Sequence, residues 1–360
     1  MTGRPTLRVL IAGGGAVGSV TALALARAGA QVTLADPAAL GDNASGLAAG
    51  MLAPAFEAIF DDLSAPRLAL MRRARDLWPK LAGSIGLVLD RAGAMAVGAP
   101  DNLAAWADAG RSLGISLTAL SPAEARRRLP WLAAGQGGLW TDEDWRLEAD
   151  LALVALRAAG HALGVRTIAR AVNGFEPGRA RLADGRELAV DALVVATGAS
   201  RSLVDVAPEL AGLMPVKGHI LRAPGHPLSG PVVRLNDGYI CPSPGGALIG
   251  SSMEIGRADR EIDAAVVQRL IGQAIAFAPC LAGATVTARA GVRAATAGGL
   301  PLVGRSEAAG VWLAVGARRN GWLLAPLIAQ GLAARLTGRG RDDDPFAGAA
   351  VALPGEADVK

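Results

Sequence analysis

The chain has few residues of the types that build covalent or metal-held frameworks. Of 360 residues, only Cys241 and Cys280 are cysteines. They stand alone, without a CxxC pattern or histidines at ligand spacing, so the sequence predicts neither a metal site nor a disulfide framework. The three histidines are scattered, and no Ser-His-Asp arrangement can be assembled from them. A reducing compartment fits this composition.

Lysine is scarce too, with three in the chain, so the formal charge of +4 rests almost entirely on arginine. No basic block dominates. The densest run, Arg126 to Arg128, is typical of a solvated helix face, and we therefore expect no nucleic-acid partner. A mild positive field instead favours anionic small ligands.

The chain lacks a convincing membrane segment. Residues 9–26 carry no charge and follow two arginines, as in a signal peptide, but four glycines interrupt the run where a strand should turn into a helix. The uncharged run 270–288 contains Gln273 and Pro279, which disfavours a membrane span. We expect a cytoplasmic protein.

Glycine and aliphatic residues are abundant: the chain has 47 glycines, 51% hydrophobic residues and only 4% aromatics. This composition suits closely packed α/β layers. A buried strand over 7–12, a helix over 16–28 and a strand over 31–35 predict an opening βαβ unit. Strand signals recur over 165–175, 180–182 and 189–196, and a strand over 311–315 precedes an apolar helix.

These blocks predict an α/β fold in which a Rossmann-like, dinucleotide-binding lobe is interrupted by an α+β substrate-binding lobe. Short strands are expected between residues 214 and 293. The predicted division is a nucleotide lobe over 1–80, 150–213 and 294–345, a substrate lobe over 81–149 and 214–293, and a tail over 346–360.

A glycine-rich turn lies between the first strand and the first helix. Gly13 permits the turn, Gly15 lets the backbone approach a pyrophosphate, and Gly18 lets the helix pack on the strand. Ala16 and Val17 open the helix, whose free N–H groups suit phosphate. Asp36 ends the second strand, where it can bind a ribose diol and repel a 2′-phosphate, so NADP is disfavoured. The motif does not separate FAD from NAD, and a structural glycine turn is the alternative.

Three further segments are candidates for the site. Residues 45–54 are mostly small and could pass close to a flat ring, or simply start a packed helix. Arg293, among small and apolar residues, suits bidentate binding of a carboxylate, or a structural ion pair. Tyr239, the only tyrosine, would be a second donor or a core aromatic. Arg319 precedes an apolar helix whose N-terminus would stabilise negative charge, or would be a plain helix cap.

Together these segments resemble the D-amino acid oxidase-like superfamily, and within it the glycine oxidase branch associated with thiazole synthesis for thiamine. The resemblance spans the chain. Besides the glycine turn, it is carried by the runs at 45–54, 215–218, 238–242, 250–253, 291–293, 299–304 and 319–326. The family's Arg-Pro-x-Thr-Pro-Asp-Gly pattern is altered here, with Ala294, Ala297 and Gly298 in place of both prolines and the acid. Ala317 and Arg318 likewise replace a histidine and an aromatic residue, and these changes weaken the assignment of glycine itself as the substrate.

The resemblance implies a non-covalent FAD and an FAD-dependent oxidation of a small amino acid, such as glycine, sarcosine or a small D-amino acid, to an imine. Arg293 and Tyr239 would hold the substrate carboxylate, Met253 would line the pocket, and Arg319 would lie near substrate and flavin. Further cofactor contacts would come from Ser45, Ala48, Ala49, Gly50, Met51, Val172, Thr197, Gly198, Asn320, Gly321, Trp322 and Leu323.

Oxygen would reoxidise the flavin to give hydrogen peroxide, and the imine could feed thiazole synthesis. Two alternatives stay open: a dehydrogenase of the same fold with another electron acceptor, and a non-catalytic flavin-binding assembly or partner protein. Relatives are often homo-oligomers, which is the expectation for oligomeric state. No metal is expected.

Overall fold

The computed structural model describes residues 6–226 and 228–338, and the predicted tail over 346–360 lies outside these residues. The α-helices are α1 (Ala16–Arg27), α2 (Ala44–Leu47), α3 (Pro54–Phe60), α4 (Ala65–Ser84), α5 (Pro100–Ser112), α6 (Pro122–Arg128), α7 (Ala149–Ala162), α8 (Ala264–Phe277) and α9 (Gly321–Leu336). Short 3₁₀ helices cover Pro208–Gly212 and Pro279–Leu281.

The strands are β1 (Arg8–Ala12), β2 (Gln31–Ala35), β3 (Met51–Leu52), β4 (Ala94–Ala96), β5 (Thr118–Leu120), β6 (Gly138–Thr141), β7 (Trp145–Arg146), β8 (Arg166–Ile168), β9 (Val172–Glu176), β10 (Gly178–Leu182), β11 (Glu187–Val190), β12 (Ala192–Val195), β13 (Met214–Pro224), β14 (Val232–Leu235), β15 (Gly238–Ser243), β16 (Gly246–Gly250), β17 (Glu254–Ile255), β18 (Thr287–Ala295), β19 (Leu302–Arg305) and β20 (Val311–Val315).

A six-stranded sheet forms the nucleotide-type half of the molecule. Its order is β19-β20-β12-β1-β2-β8, and all pairs except β19 with β20 are parallel. Alternate residues of β1 face opposite sides. Val9 and Ile11 pack with helices α1, α4, α7 and α9, while Leu10 and Ala12 pack with the meander β9-β10-β11. Burial on both faces explains why the inner strands β1, β2, β12 and β20 are largely apolar, whereas the edge strand β8, Arg-Thr-Ile, is mostly exposed.

A nine-stranded, mainly antiparallel sheet forms the other half. Its order is β17-β13-β16-β15-β14-β4-β6-β5, with β18 also paired to β13. Ile240 of β15 faces a core closed by α6 and α8, whereas Tyr239 and Cys241 face the opposite side, towards the small-residue segment that follows α2. The alternation along β15 therefore directs Tyr239 away from the core and towards the junction between the two sheets.

The opening βαβ unit is confirmed, with the helix ending one residue early at Arg27. The predicted strand-rich block 165–175 contains two strands, β8 in the parallel sheet and β9 in the meander. One expectation is wrong in detail. The strands of the 214–293 block are not all short, because β13 and β18 pair in register from Met214 with Ala295 to Arg222 with Thr287.

The division into two lobes stays a prediction. The predicted boundary at residue 80 falls inside helix α4, and the one at residue 293 falls inside strand β18. In the part of the chain that the structure describes, no helix is long and apolar enough to cross a membrane.

The packing of α1 on β1 yields a paired test. A Cβ on Gly18 would lie 1.9 Å from the Gly13 carbonyl oxygen, whereas one on Gly272, also inside a helix, would meet nothing within 4 Å. We expect Gly18→Ala to lower the free energy of unfolding by about 1–3 kcal/mol. Gly272→Ala should raise it by about 0.5–1 kcal/mol. Urea unfolding measures both, and an unchanged Gly18→Ala protein would contradict the close helix-strand approach.

Candidate active site

The first of two adjoining cavities lies over the carboxyl end of the parallel sheet and has a volume of about 290 Å³. Its floor is the glycine-rich turn. Gly13 has a φ of 108°, and a Cβ there would lie 2.3 Å from the Ala196 carbonyl oxygen. A Cβ on Gly15 would lie 2.9 Å from the Ser45 hydroxyl. A side chain at Gly13 would therefore collide with the backbone, and one at Gly15 would displace the Ser45 hydroxyl, so the turn favours glycine at both positions.

Hydrogen bonds fix the polar groups of this cavity. The Asp36 carboxylate, at the end of β2, accepts from the Gly14 N–H at 2.6 Å and the Ala38 N–H at 2.8 Å. Ser45 Oγ accepts from the Ala16 N–H at 2.9 Å. Helix α1 begins with Gly15 as N-cap and has no acidic residue in its first turn. The α1 terminus and Asp36 thus fit a pyrophosphate and a ribose diol respectively.

Most predicted cofactor residues border one of the two cavities. The first is lined by Gly13, Gly15, Ala16, Val17, Asp36, Ser45, Val172, Thr197, Gly198 and Gly321. The second is lined by Ala48, Ala49, Gly50, Met51, Asn320 and Trp322. Gly18 lies behind the turn, and Leu323 is fully buried inside α9. These two residues line neither cavity.

The second cavity, of about 410 Å³, lies between the two sheets. One wall is the small-residue segment after α2. Gly50 in this wall has a φ of 72°, and a Cβ there would lie 2.0 Å from the Leu147 carbonyl oxygen, so this position requires glycine. Tyr239, Met253, Arg293 and Arg319 line the same cavity, which brings together the four residues predicted for the substrate.

Arg293 borders both cavities. Its Nη2 donates to the Ser252 carbonyl at 2.7 Å, and its side chain passes so close to Gly218 that a Cβ there would lie 2.0 Å away. Among the described residues, no carboxylate forms an ion pair with it. Burial, with repulsion from Arg319 and Arg318, lowers the pKa of Arg293 to about 10. At neutral pH the guanidinium is therefore charged, and no carboxylate among the described residues neutralises it.

Tyr239 is a buried hydrogen-bond donor in the same cavity. Burial raises the pKa of its phenol above the ordinary value, so the hydroxyl keeps its proton at physiological pH. A protonated tyrosine and a charged arginine facing one cavity are donors of the kind that a small carboxylate can bind.

A buried carboxylate, Glu57, organises two arginines that line this cavity. Glu57 Oε1 accepts from Arg234 Nη2 at 2.9 Å, and Glu57 Oε2 accepts from Arg319 Nε at 2.9 Å. Arg319 Nη2 also lies 2.9 Å from Asp61 Oδ2. Although burial opposes ionisation of Glu57, the two arginines hold its pKa below the ordinary value. Glu57 thus stays ionised and fixes Arg319 at the cavity wall.

Sequence reasoning missed Arg234 and gave Glu57 no role. Each is a single charged residue within an apolar stretch, Val-Val-Arg-Leu and Ala-Phe-Glu-Ala. An isolated charge in such a stretch needs a buried partner, and that was the available signal. Their pairing was not visible because 177 positions separate them.

His219, one of the three scattered histidines, is fully buried away from the two cavities. Its Nε2 accepts a hydrogen bond from the Asp263 N–H, and its Nδ1 lies 2.9 Å from Glu254. It therefore has structural partners.

A dinucleotide-type cleft that adjoins a second, arginine-lined cavity is the arrangement of a dinucleotide-dependent enzyme. The chain belongs to the family described as DAO, FAD dependent oxidoreductase, whose model matches residues 8–335. It is therefore an FAD-dependent oxidoreductase, and FAD is its cofactor. The residues of the first cavity fit that cofactor.

Named relatives match over most of the chain. A glycine oxidase of Geobacillus kaustophilus is 31% identical over 341 aligned residues, covering 89% of this chain and 90% of that protein. A putative thiamine biosynthesis oxidoreductase, ThiO, of Rhizobium etli is 32% identical over 351 residues, covering 92% and 96%.

Two solved structures share the fold. The Geobacillus kaustophilus glycine oxidase has a TM-score of 0.82 at 28% identity, covering 95% of this chain and 98% of that one. An iminodiacetate oxidase of Chelativorans sp. BNC1 has a TM-score of 0.81 at 25% identity, covering 93% and 96%. The mixed α/β architecture predicted from the sequence is confirmed.

The role of Glu57 can be tested by stability. Glu57→Gln leaves the buried Arg234 and the half-buried Arg319 without their shared anion, so we expect the free energy of unfolding to fall by about 3–5 kcal/mol. The control is Asp76→Asn, which removes a carboxylate that is 58% exposed and paired with Arg75, and should cost less than about 1 kcal/mol. Denaturant unfolding measures both. Equal, small losses would show that Glu57 does not hold the site together.

Proposed function

We propose that this chain oxidises a small amino acid at the carbon that bears its amine. The observation that carries the proposal is Arg293, a charged arginine with no described carboxylate partner that borders both cavities and faces the same space as Tyr239. A substrate carboxylate bound by these two groups would lie beside the cofactor cleft. Glycine, sarcosine and small D-amino acids are the proposed substrates.

The side chains act by binding and orientation. The planar fork of Arg293 and the Tyr239 hydroxyl hold the two oxygens of the carboxylate, Met253 narrows the cavity, and Arg319 is fixed beside it by Glu57. FAD, when bound, supplies the acceptor for the hydride that leaves the substrate Cα. No side-chain base is needed if the amine binds neutral, because its lone pair forms the C=N bond as the hydride leaves. Water then hydrolyses the imine to an oxo acid and the amine.

Electrostatics support the same reaction. Helix α9 begins at Gly321, where the two cavities adjoin, with no acidic residue in its first turn. Its N–H groups would favour negative charge that develops near them. We also propose the cofactor contacts that were named from the sequence, because most of those residues line one of the two cavities.

We also propose oxygen as the electron acceptor and, from the similarity to ThiO, that the imine can be passed to a thiazole-forming step. A homo-oligomeric state stays a prediction.

The carboxylate clamp is tested by Arg293→Ala. Losing a buried charged donor should cost about 2–5 kcal/mol of binding, which lowers kcat/KM for glycine, sarcosine or D-alanine by roughly 30-fold to several thousand-fold. The measurement is anaerobic bleaching of the flavin absorbance by each substrate. Arg289→Ala is the matched control, because Arg289 lies on the same strand but is exposed and paired with Asp42. Unchanged flavin reduction in Arg293→Ala would refute the assigned role.

The electron acceptor is tested separately. With the best of these substrates in air, we expect one hydrogen peroxide per imine or oxo acid formed. Product without peroxide, and only when an artificial electron acceptor is added, would instead define a dehydrogenase. A flavin spectrum that no amino acid changes would contradict the enzymatic proposal itself.

A further inference from the structure

Arg234 faces the substrate cavity from the same sheet surface as Tyr239. The two residues are directly opposite each other in the antiparallel pair β14 and β15, so their side chains project from one face. That face borders the 410 Å³ cavity, and the Arg234 side chain is only 6% exposed. Arg234 is thus a buried arginine next to the proposed carboxylate site, with no part yet in substrate binding.

The donors of Arg234 are only partly used. Its Nη2 donates to Glu57, but its Nη1 reaches only the Met51 Sδ, at 3.8 Å, and its Nε is buried with no partner in the described part of the chain. The Phe60 ring lies 5.1 Å from its Cζ. Leaving a buried charged donor unpaired is unfavourable. The free donors of Arg234 therefore favour an acceptor that enters the cavity.

The charges around the cavity point the same way. The charged side chains that line this cavity are Arg234, Arg269, Arg293 and Arg319 with Glu57 and Asp237, an excess of two positive charges. Arg318 and Asp61 lie outside it and pair with each other. The buried Asp144 also interacts with Arg234, but burial raises the pKa of this carboxyl to about 7, so it is only partly ionised at neutral pH. At the exposed mouth, Arg269 and Asp237 carry opposite charges. One substrate carboxylate on Arg293 neutralises only one of the two excess charges, and Arg234 offers donors for a second anion.

We propose that Arg234, with Arg319 beside it, forms a subsite for a second carboxylate, so that the preferred substrates are amino acids bearing two carboxylates. This inference rests on the proposed function, because Arg293 and Tyr239 must hold the first carboxylate. The second carboxylate can be attached through the side-chain carbon or through the amine nitrogen, and both are anions of the same chemistry.

Matched pairs of compounds test the subsite in the FAD-loaded enzyme. D-Alanine and D-aspartate differ by a carboxylate on the side chain, and glycine and N-carboxymethylglycine by one on the nitrogen. In at least one pair we expect the dicarboxylate to have a kcat/KM about tenfold or more above that of its partner, the effect of one added charge-assisted hydrogen bond.

A binding measurement with non-reactive acids complements the kinetics. Malonate should perturb the flavin spectrum with a Kd about tenfold or more below that of acetate.

Variants separate the subsite from general electrostatics. Arg234→Met keeps the apolar stem and should abolish most of the preference for two carboxylates, through KM and the malonate Kd rather than kcat. Arg234→Lys should retain part of it. Arg269→Met, which removes a charge at the exposed mouth, should leave the ratio within each pair unchanged. Arg234→Gln, which leaves Glu57 paired with Arg319, gives the same readout if Arg234→Met does not fold.

Each result has one interpretation. Loss of the preference in the Arg234 variants but not in Arg269→Met supports the subsite. If the monocarboxylates reduce the flavin and the dicarboxylates gain nothing, Arg234 serves only the ion pair with Glu57, and the inference is overturned while the proposed function stands. If no amino acid of either kind reduces the flavin, both fail.

Discussion

The arrangement of this site depends on one buried carboxylate. Glu57, on α3, bridges Arg234 of the antiparallel sheet and Arg319 of the loop before α9, so it joins three segments that are far apart in the chain. Two arginines so near each other would repel without it, and their pairing keeps Glu57 ionised in spite of its burial. The position of the cavity wall relative to α9 follows from this three-way contact.

The two sheets divide the work at their junction. The parallel sheet ends mainly in backbone N–H groups, those of the glycine turn and the α1 N-terminus, which suit phosphates, and in one side chain, the Asp36 carboxylate, which suits a ribose. The antiparallel sheet contributes side chains, because alternation along β14 and β15 sends Arg234 and Tyr239 to one face. Arg293, on β18, borders both cavities and connects the two kinds of surface.

Much of the nucleotide half was predictable because its signals are local. The turn at Gly13 and Gly15 and the carboxylate of Asp36 follow one another within a single βαβ unit, and each has a backbone reason. The division of 165–175 between two sheets was not predictable, since both halves are short and mix polar with apolar residues, and only pairing with β2 or with β10 assigns each to its sheet. The length of β13 and β18 likewise depends on their mutual pairing.

By itself, the sequence determined the glycine turn, the acidic end of β2, the apolar helix after Arg319 and the candidate pair Arg293 and Tyr239, because these depend on residue type and near neighbours. Only the tertiary structure decided which arginines are paired. Arg234 and Arg319 share the Glu57 carboxylate, whereas Arg293 forms no ion pair with any carboxylate among the described residues. Arg234 and Arg319 are 177 and 262 positions from Glu57 in the chain. Ion pairs over such separations depend on how the sheets and helices pack, and the local sequence does not predict them.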